Sequence, residues 1–502
     1  MRLHFHGAVH GVTGSCYVVE TPSGLLMVDC GMYQGGSQLE EQNREPFGFE
    51  PADIRWVILT HAHIDHSGRL PLFVKEGYRG HIHAHPATCD LAGIMLLDSA
   101  HIQEEDAAYE QKKVARGELP GHKPAEPLYT VADAEAAASR FRSVAYGEVV
   151  ELSPNIRFRL VDAGHILGSA NAELWLRDGD QQLRLTFSGD IGTGDNPILR
   201  DPDPPSATDF LVMESTYGNR LHEEHALRID RFRQIIAAAI SRKGCVVIPS
   251  FAVGRTQELV YILNGLVEGH ALPSLTTFVD SPLALEATRV FRKHPECFNQ
   301  TLRDAIAGGD DPFDFPYLRF TRTVDESKAI NTTPPPLVVI SAAGMCNAGR
   351  IRHHLLHHLG RREDTILFVG YQAHNTLGRR IKEGVSPVRI MGETVQVRAK
   401  VESIDGFSAH ADRAGLLKWF GRIPRPPAFT IVTHGEVPAS FALRDALSET
   451  YSAKALVPEP GEVIDLSLDN PQLAAQVDAQ AHRPFTPLET EQDEEPADDQ
   501  DG

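Results

Sequence analysis

The chain has 502 residues, with 48 Lys and Arg against 68 Asp and Glu for a formal net charge of −20, and only six cysteines. That length admits two or three domain-sized units. No apolar stretch approaches the roughly 18 residues of a membrane span, the N-terminus lacks a signal-peptide core, and no cysteine pair has CxxC spacing; a membrane-anchored, secreted or disulfide-stapled protein is therefore not expected, and a cytoplasmic one is.

In chain order, Leu25–Val28 is an apolar run ending in Asp29-Cys30-Gly31. Trp56–Leu59 reads as a buried strand and passes directly into T-H-A-H-I-D-H-S, Thr60 to Ser67. His61 and His63, two apart in extended backbone, project to the same side, and Asp65 and His66 turn the chain toward a neighbouring point. Four N/O donors exceed what one tetrahedral zinc with an open position can use, so the loop reads as half of a two-metal site. Such a site demands further His and Asp residues at other strand ends.

They are present. Ile156–Val161 alternates like a half-buried strand and leads to D-A-G-H-I-L-G-S-A, which puts His165 in a glycine-flanked turn. Leu183–Phe187 leads to S-G-D and Asp190, and Phe429–Thr433 leads to His434-Gly435. Singly these are ordinary strand-to-turn junctions; five in one chain point to a shared centre. Between Asp190 and His434 lie 243 residues, far more than one helix and strand need. There Phe210–Met213, a helical stretch Arg231–Ser241, Cys245–Pro249, a helix Gly254–Val267 and Leu337–Ser341 alternate as β and α, predicting a parallel sheet. Val395–Val401 alternates cleanly and is expected to be the return strand into the first domain.

Other histidines are read without chemistry. His81, His83 and His85 alternate as on a rim strand, and His353, His354, His357 and His358 follow helical spacing suited to a solvated or dimer-facing helix. His10 lies in a turn and His374 precedes a glycine loop. Ala100–Ala132 is a polar helical excursion.

The strand-end set resembles the metallo-β-lactamase superfamily, with Asp29 in the place of its first motif, His61/His63/Asp65/His66 its second, His165 its third and Asp190 its fourth. The resemblance implies one zinc held by His61, His63 and His165, a second by Asp65, His66 and His434, and Asp190 bridging them. Asp29 would orient the ligand loop. Mn²⁺ or Fe²⁺ would also suit these donors. The segments M-E-S-T-Y-G-N-R with Glu214, S-I-D-G-F-S-A-H-A-D with His410, I-P-S-F-A-V-G-R-T-Q-E-L and G-Y-Q-A-H-N-T-L-G-R-R narrow the match. They resemble the β-CASP group, nucleases that include the cleavage factor of mRNA 3′-end processing, and place Glu214, His410 and His434 at its motifs A, B and C.

The implied fold is α/β: a metallo-β-lactamase αββα sandwich at 1–207 and 394–465, interrupted by a β-CASP α/β insert at 208–393. A C-terminal extension, 466–502, ends in an acidic tail whose last 18 residues carry eight acids and no base, a composition that predicts disorder. No KH-like G-x-x-G module follows the core, so the RNA-tethering domain of some archaeal relatives is not expected.

The implied activity is metal-dependent hydrolysis of single-stranded RNA, leaving 5′-phosphate and 3′-hydroxyl ends, endonucleolytic with 5′-to-3′ exonuclease action as a further capacity. Asp65, Glu214 and His410 are the expected catalytic residues. His410 supplies the proton for the leaving oxygen, and Glu214 holds its tautomer. Three loops are expected to bind phosphate: Ser250 and Arg255 at a helix start, then Ser341, Gly344, Asn347 and Arg350, then Thr376 and Arg379. The acidic body argues for a focused groove on a surface otherwise poor for nucleic acid. Two alternatives are a DNA nuclease of the same group, against which His434 stands because that branch is expected to carry an apolar residue there, and a noncatalytic scaffold, against which the intact second motif stands. A homodimer is compatible with the histidine-rich helix.

Overall fold

The computed structural model describes residues 1–118, 126–370, 372, 376–404 and 406–481, which fall into two compact units. Of the described residues, the first comprises those in Met1–Gly194, in Asp201–Leu221 and from His410 to Ala481; the second comprises those in Asp195–Arg200 and His222–Ala409. Phe485–Gly502, read as a disordered tail, and His374 lie outside the described residues.

The first unit is built on two seven-stranded sheets. One runs Val463–Asp465, Arg2–Gly7, Cys16–Thr21, Gly24–Val28, Ile54–Ile58, Ile82–Ala84, Phe141–Ser143; the other runs Ala455–Leu456, Phe429–Thr433, Phe210–Glu214, Gln181–Phe187, Ala170–Asp178, Ile156–Asp162, Val149–Ser153. Their inner faces share one core, in which Leu3, Phe5, Val19 and Leu26 meet Phe158, Leu174, Leu185 and Phe210. Each such buried side chain contributes about 1.5–3 kcal/mol. Ile156–Asp162 shows why the pairing is antiparallel at this edge: Ile156, Phe158 and Leu160 face the core while Arg157 points outward. By contrast Phe210–Glu214 and Phe429–Thr433 are buried throughout and pair in parallel. Their second face carries Leu211, Met213 and Val432, covered by the helices Arg413–Phe420 and Val437–Tyr451. The αββα sandwich follows from this double burial.

The second unit holds a six-stranded, wholly parallel sheet in the order Leu318–Phe320, Thr276–Asp280, Leu337–Ser341, Cys245–Pro249, Thr365–Phe368, Lys400–Ser403. Cys245–Pro249 and Leu337–Ser341 have no exposed residue, as strands covered on both faces must.

Three expectations are revised here. Phe210–Glu214, expected to open the insert at 208, pairs inside the first unit's sheet, so the long excursion into the second unit starts at His222. The expected return strand Val395–Val401 is divided. Glu393–Val395 pairs with Val388–Ile390, and Lys400–Ser403 joins the second unit's sheet beside Thr365–Phe368; the chain rejoins the first unit at His410. Alternation reads the same in either sheet, and only the partner strand decides between them. On the histidine-rich helix Ile351–His358, His354 and His358 are buried, 2.6 Å from Asp280 Oδ2 and 2.7 Å from Asp364 Oδ2, so that face is turned inward rather than to solvent or a second copy.

Candidate functional site

Each expected ligand lies at or just beyond the C-terminal end of a first-unit strand. The loop Thr60–Ser67 follows Ile54–Ile58, His165 follows Ile156–Asp162, Asp190 follows Gln181–Phe187 and His434 follows Phe429–Thr433. The fold brings them into two groups that share a carboxylate. One is His61, His63, His165 and Asp190; the other is Asp65, His66, Asp190 and His434, each with donor atoms mutually within 4.8 Å.

Asp29 sits at the end of Gly24–Val28 with φ 60° and is buried. Its Oδ1 accepts the Thr60 amide at 2.8 Å, and its Oδ2 accepts the Thr60 hydroxyl and His66 Nδ1, each at 2.8 Å. Those bonds use both carboxylate oxygens, so Asp29 orients the loop. They also turn His66 Nε2 inward, 3.1 Å from His434 Nε2. Thr60 Oγ1 lies 3.2 Å from His61 Nδ1, which likewise points His61 Nε2 at the cluster, 3.2 Å from His63 Nδ1. His165 Nε2 is 3.2 Å from the same His63 nitrogen. Thr216 Oγ1 is 3.1 Å from His434 Nδ1, and His434 keeps φ 50° because its amide donates to the Ala8 carbonyl while its own carbonyl accepts the Ser215 amide.

Asp190 carries the decisive geometry. Its Oδ2 lies 3.3 Å from His61 Nε2 and 3.4 Å from His165 Nε2; its Oδ1 lies 3.3 Å from His66 Nε2 and 3.4 Å from His434 Nδ1. Both oxygens are buried without a hydrogen-bond partner. A buried carboxylate in that state is costly unless cations meet it. Imidazole nitrogens facing one another at 3.1–3.2 Å have the same need. The donor set therefore fits divalent metal.

The electrostatics agree. Burial, then the neighbouring imidazoles, lowers His61 and carries His63 down to about 3, and burial takes His165 well below its ordinary value, so all three present lone pairs near neutral pH. Burial opposes charge on His66, but Asp190 and then Asp29 outweigh it and raise the ring, so His66 would take a cation by releasing its proton. Burial likewise works against ionised Asp190, and His434, His66, His61 and His410 hold its carboxyl well below the usual range.

Beside this cluster, Glu214 ends its strand buried, with Oε1 accepting the Ile191 amide at 2.6 Å. Both Glu214 oxygens lie 3.3 Å from His410 Nδ1. His410 is fixed by backbone: it bridges antiparallel to Gly192, and the Ala411 amide donates to the Ile191 carbonyl at 2.7 Å. Burial disfavours the charged ring, yet Glu214 and then Asp190 raise it to about 9.

The matching family models are the metallo-β-lactamase superfamily at residues 11–217, the Beta-Casp domain at 256–381 and the Zn-dependent metallo-hydrolase RNA specificity domain at 394–458. A Thermus thermophilus protein, Ribonuclease TTHA0252, is 35% identical across 89% of this chain and 96% of its own length. The chain belongs to the β-CASP group of the metallo-β-lactamase superfamily. Among other β-CASP relatives, the RNase J-like protein of Methanocaldococcus jannaschii is 29% identical over 92% of this chain and 99% of its own, and the transcription termination factor FttA of Methanosarcina mazei is 30% identical over 89% and 69%. A crystal structure of an Enterococcus faecalis protein of unknown function shares the fold, with a TM-score of 0.52 at 12% identity, covering 92% of this chain and 99% of that one. Membership in this superfamily implies divalent-metal binding, and no described helix is long and apolar enough to cross a membrane.

The residues expected to bind phosphate all lie in the second unit, where the structure gives most of them local structural work. Arg350 donates to Asp280 Oδ1 at 2.7 Å and to the Arg322 carbonyl, Arg255 pairs with Glu258, and Arg379 pairs with Glu383 at 2.5 Å. Ser341 Oγ donates to the Asp280 carbonyl, the Gly344 carbonyl accepts Gln372, Asn347 Oδ1 accepts the Leu377 amide, and Thr376 caps the helix Leu377–Lys382. Ser250 Oγ bonds the Phe251 carbonyl and accepts Thr256. His83 and His85 form no metal triad with His81: His85 caps the helix Pro86–Ala115 and stacks on Tyr146 at 3.9 Å. Ala100–Ala115 is the second half of that same helix. Sequence reasoning passed over Thr60 and Thr216. The signal for Thr60 was its place between the strand and His61; Thr216, far off in sequence, gave none.

Proposed function

We propose that the two donor groups each hold one divalent cation, bridged by Asp190, and that the chain is a ribonuclease hydrolysing phosphodiester bonds of single-stranded RNA to 5′-phosphate and 3′-hydroxyl ends. The observation that carries this reading is the Asp190 carboxylate, whose two buried oxygens face two separate pairs of imidazoles. Relatives named as a ribonuclease and as RNase J-like, matched over most of their length, support RNA as the substrate. Five imidazoles and two carboxylates suit Zn²⁺, and also Mn²⁺ or Fe²⁺.

Such a pair, when bound, supplies charge neutralisation at the phosphoryl oxygens and a water acidified toward about 7. The chain's own residues supply the rest. Asp29 and Thr60 set the tautomers of His66 and His61, so the ring nitrogens with lone pairs point inward. His410, with Nδ1 on Glu214, presents Nε2 as the proton donor to the departing 3′-oxygen. A 2′-hydroxyl nucleophile has no part in this chemistry.

The test incubates the purified chain, metal content measured, with matched RNA and DNA strands labelled at either end, beside Asp190→Ala and His410→Ala. Cleavage of RNA to 5′-phosphorylated products, lost in both variants, is expected. Wild-type cleavage of DNA but not RNA would overturn the substrate, and full activity in His410→Ala would overturn the acid.

A further inference from the structure

The outer face of the first unit's second sheet carries an arrangement that the metal centre does not use. In the strand register Trp175 stands directly opposite Arg157 on one neighbouring strand and Arg184 on the other, so a tryptophan lies between two arginines in one cross-strand row, with the Arg159 guanidinium 5.6 Å from the centre of its ring. Arg177 follows two residues on, and Arg157, Trp175, Arg177 and Arg184 together line a cavity of about 400 Å³. Arg157, Arg177 and Arg184 are exposed and Trp175 is half-buried. The guanidinium groups of Arg157 and Arg177 have no partner among the described residues, whereas nearby acids are already engaged. Glu173 is taken by Arg159 and the Ser206 amide, and Asp209 by the Arg184 amide and Arg425. Glu151, the remaining acid of the lining, stands opposite Arg157 in the register without an ion pair among the described residues, and the Arg184 guanidinium donates to the Ala207 carbonyl at 3.1 Å.

Unpaired arginines around an aromatic face are unusual on a chain of net charge −20. The combination is what single-stranded nucleic acid requires: a base stacks on the indole, and the guanidiniums take flanking phosphates. Arg184 lies six residues before Asp190 and Arg157 eight before His165, so the strand rise sets the patch up to about 20–26 Å from the metal cluster. We propose that this face is a substrate exosite, binding single-stranded RNA at a point remote from the scissile bond; the proposal rests on the ribonuclease reading above. A long RNA reaches both places, whereas a tetranucleotide held at the metal centre does not.

The test compares wild type with Trp175→Ala and with the Arg157→Ala/Arg177→Ala double variant, first confirming equal thermal stability and metal content. KM for a long unstructured RNA is expected to rise about tenfold in each variant, as loss of one stacked base would produce, with kcat and tetranucleotide cleavage unchanged. In the double variant the slope of log affinity against log salt, read by anisotropy with a chelator present, should shrink by about 1.4, two phosphate contacts at about 0.7 each. An unchanged KM for long RNA, or equal shifts for long and short, would overturn the exosite. If wild type cleaves no RNA the ribonuclease reading fails by itself. The anisotropy then decides the patch: binding weakened in the variants upholds it, and binding retained sinks it.

Discussion

Glu214 and His410, 196 residues apart in sequence, meet with both carboxylate oxygens 3.3 Å from one ring nitrogen, Nδ1. Glu214 is held from the other side by the Ile191 amide, one residue past Asp190. His410, through Glu214, and Asp190 are therefore positioned by the same short segment. His410 rises to about 9 chiefly because, against burial, Glu214 and then Asp190 favour its charged form. An acid must start protonated and the attacking water must be deprotonated, so kcat is expected to be highest between about 7 and about 9 and to fall as pH rises through about 9. Glu214→Gln removes the main raising charge and should bring this alkaline limb down toward the ordinary histidine value, with a rate loss of about 10²–10⁴ for His410→Ala. A pH–rate series on both variants, with metal content measured alongside, checks this; an alkaline limb unmoved by Glu214→Gln would reject it.

Asp29 touches no scissile bond, yet it accepts from Thr60 twice and from His66 once. Asp29→Asn cannot accept at both oxygens and is expected to reduce metal affinity or activity about 10–100-fold. Metal titration of the chelator-stripped variant reads this directly, with equal affinity as the contrary result.

Gly192 is a steric requirement. A Cβ there would lie 1.9 Å from the Gly164 carbonyl oxygen, a backbone atom in the turn that presents His165. Gly192→Ala should destabilise by about 1–3 kcal/mol, the usual cost of overpacking, and weaken metal retention through His165. Denaturant melts with and without metal separate the two effects, and a variant with wild-type stability would contradict the geometry.

Asp280 anchors the second unit. Fully buried, it accepts His354 at 2.6 Å, Ser327 at 2.6 Å, Arg350 at 2.7 Å and the Thr321 hydroxyl. Burial opposes its charge, but His354, Ser327, Thr321 and Arg350 hold the carboxyl below its ordinary value of 3.8. A depressed carboxyl stabilises the fold above the unfolded value and loses that contribution as pH falls. Asp280→Ala is expected to cost about 3–5 kcal/mol at neutral pH, because Arg350 loses its buried counter-charge and His354, Ser327 and Thr321 lose their acceptor. The cost should shrink below about pH 4, where the unfolded carboxyl takes up its proton; a pH-independent difference in denaturation midpoint would refute the linkage.

The candidate donor residues were legible because each group follows a strand in sequence: four lie within Thr60–Ser67 after one apolar run, and His165, Asp190 and His434 each come just after another. The domain edges were less so. Val395–Val401 alternates correctly for a strand, yet pattern carries no information on which sheet receives it, and its two ends pair in different places. The phosphate-loop arginines were read from glycine context alone, which does not reveal that Glu258, Asp280 and Glu383 lie within reach of them.

The sequence by itself determined the donor chemistry and the α/β class, since residue type sets what can bind a cation and apolar period sets strand or helix. Tertiary structure alone decided that each Asp190 oxygen faces its own pair of imidazoles, that Asp29 bonds Thr60 and His66 with both carboxylate oxygens, and that Trp175 stands between Arg157 and Arg184. Those relations depend on strand register and on contacts between segments far apart in the chain, and such contacts leave no local trace in the order of residues.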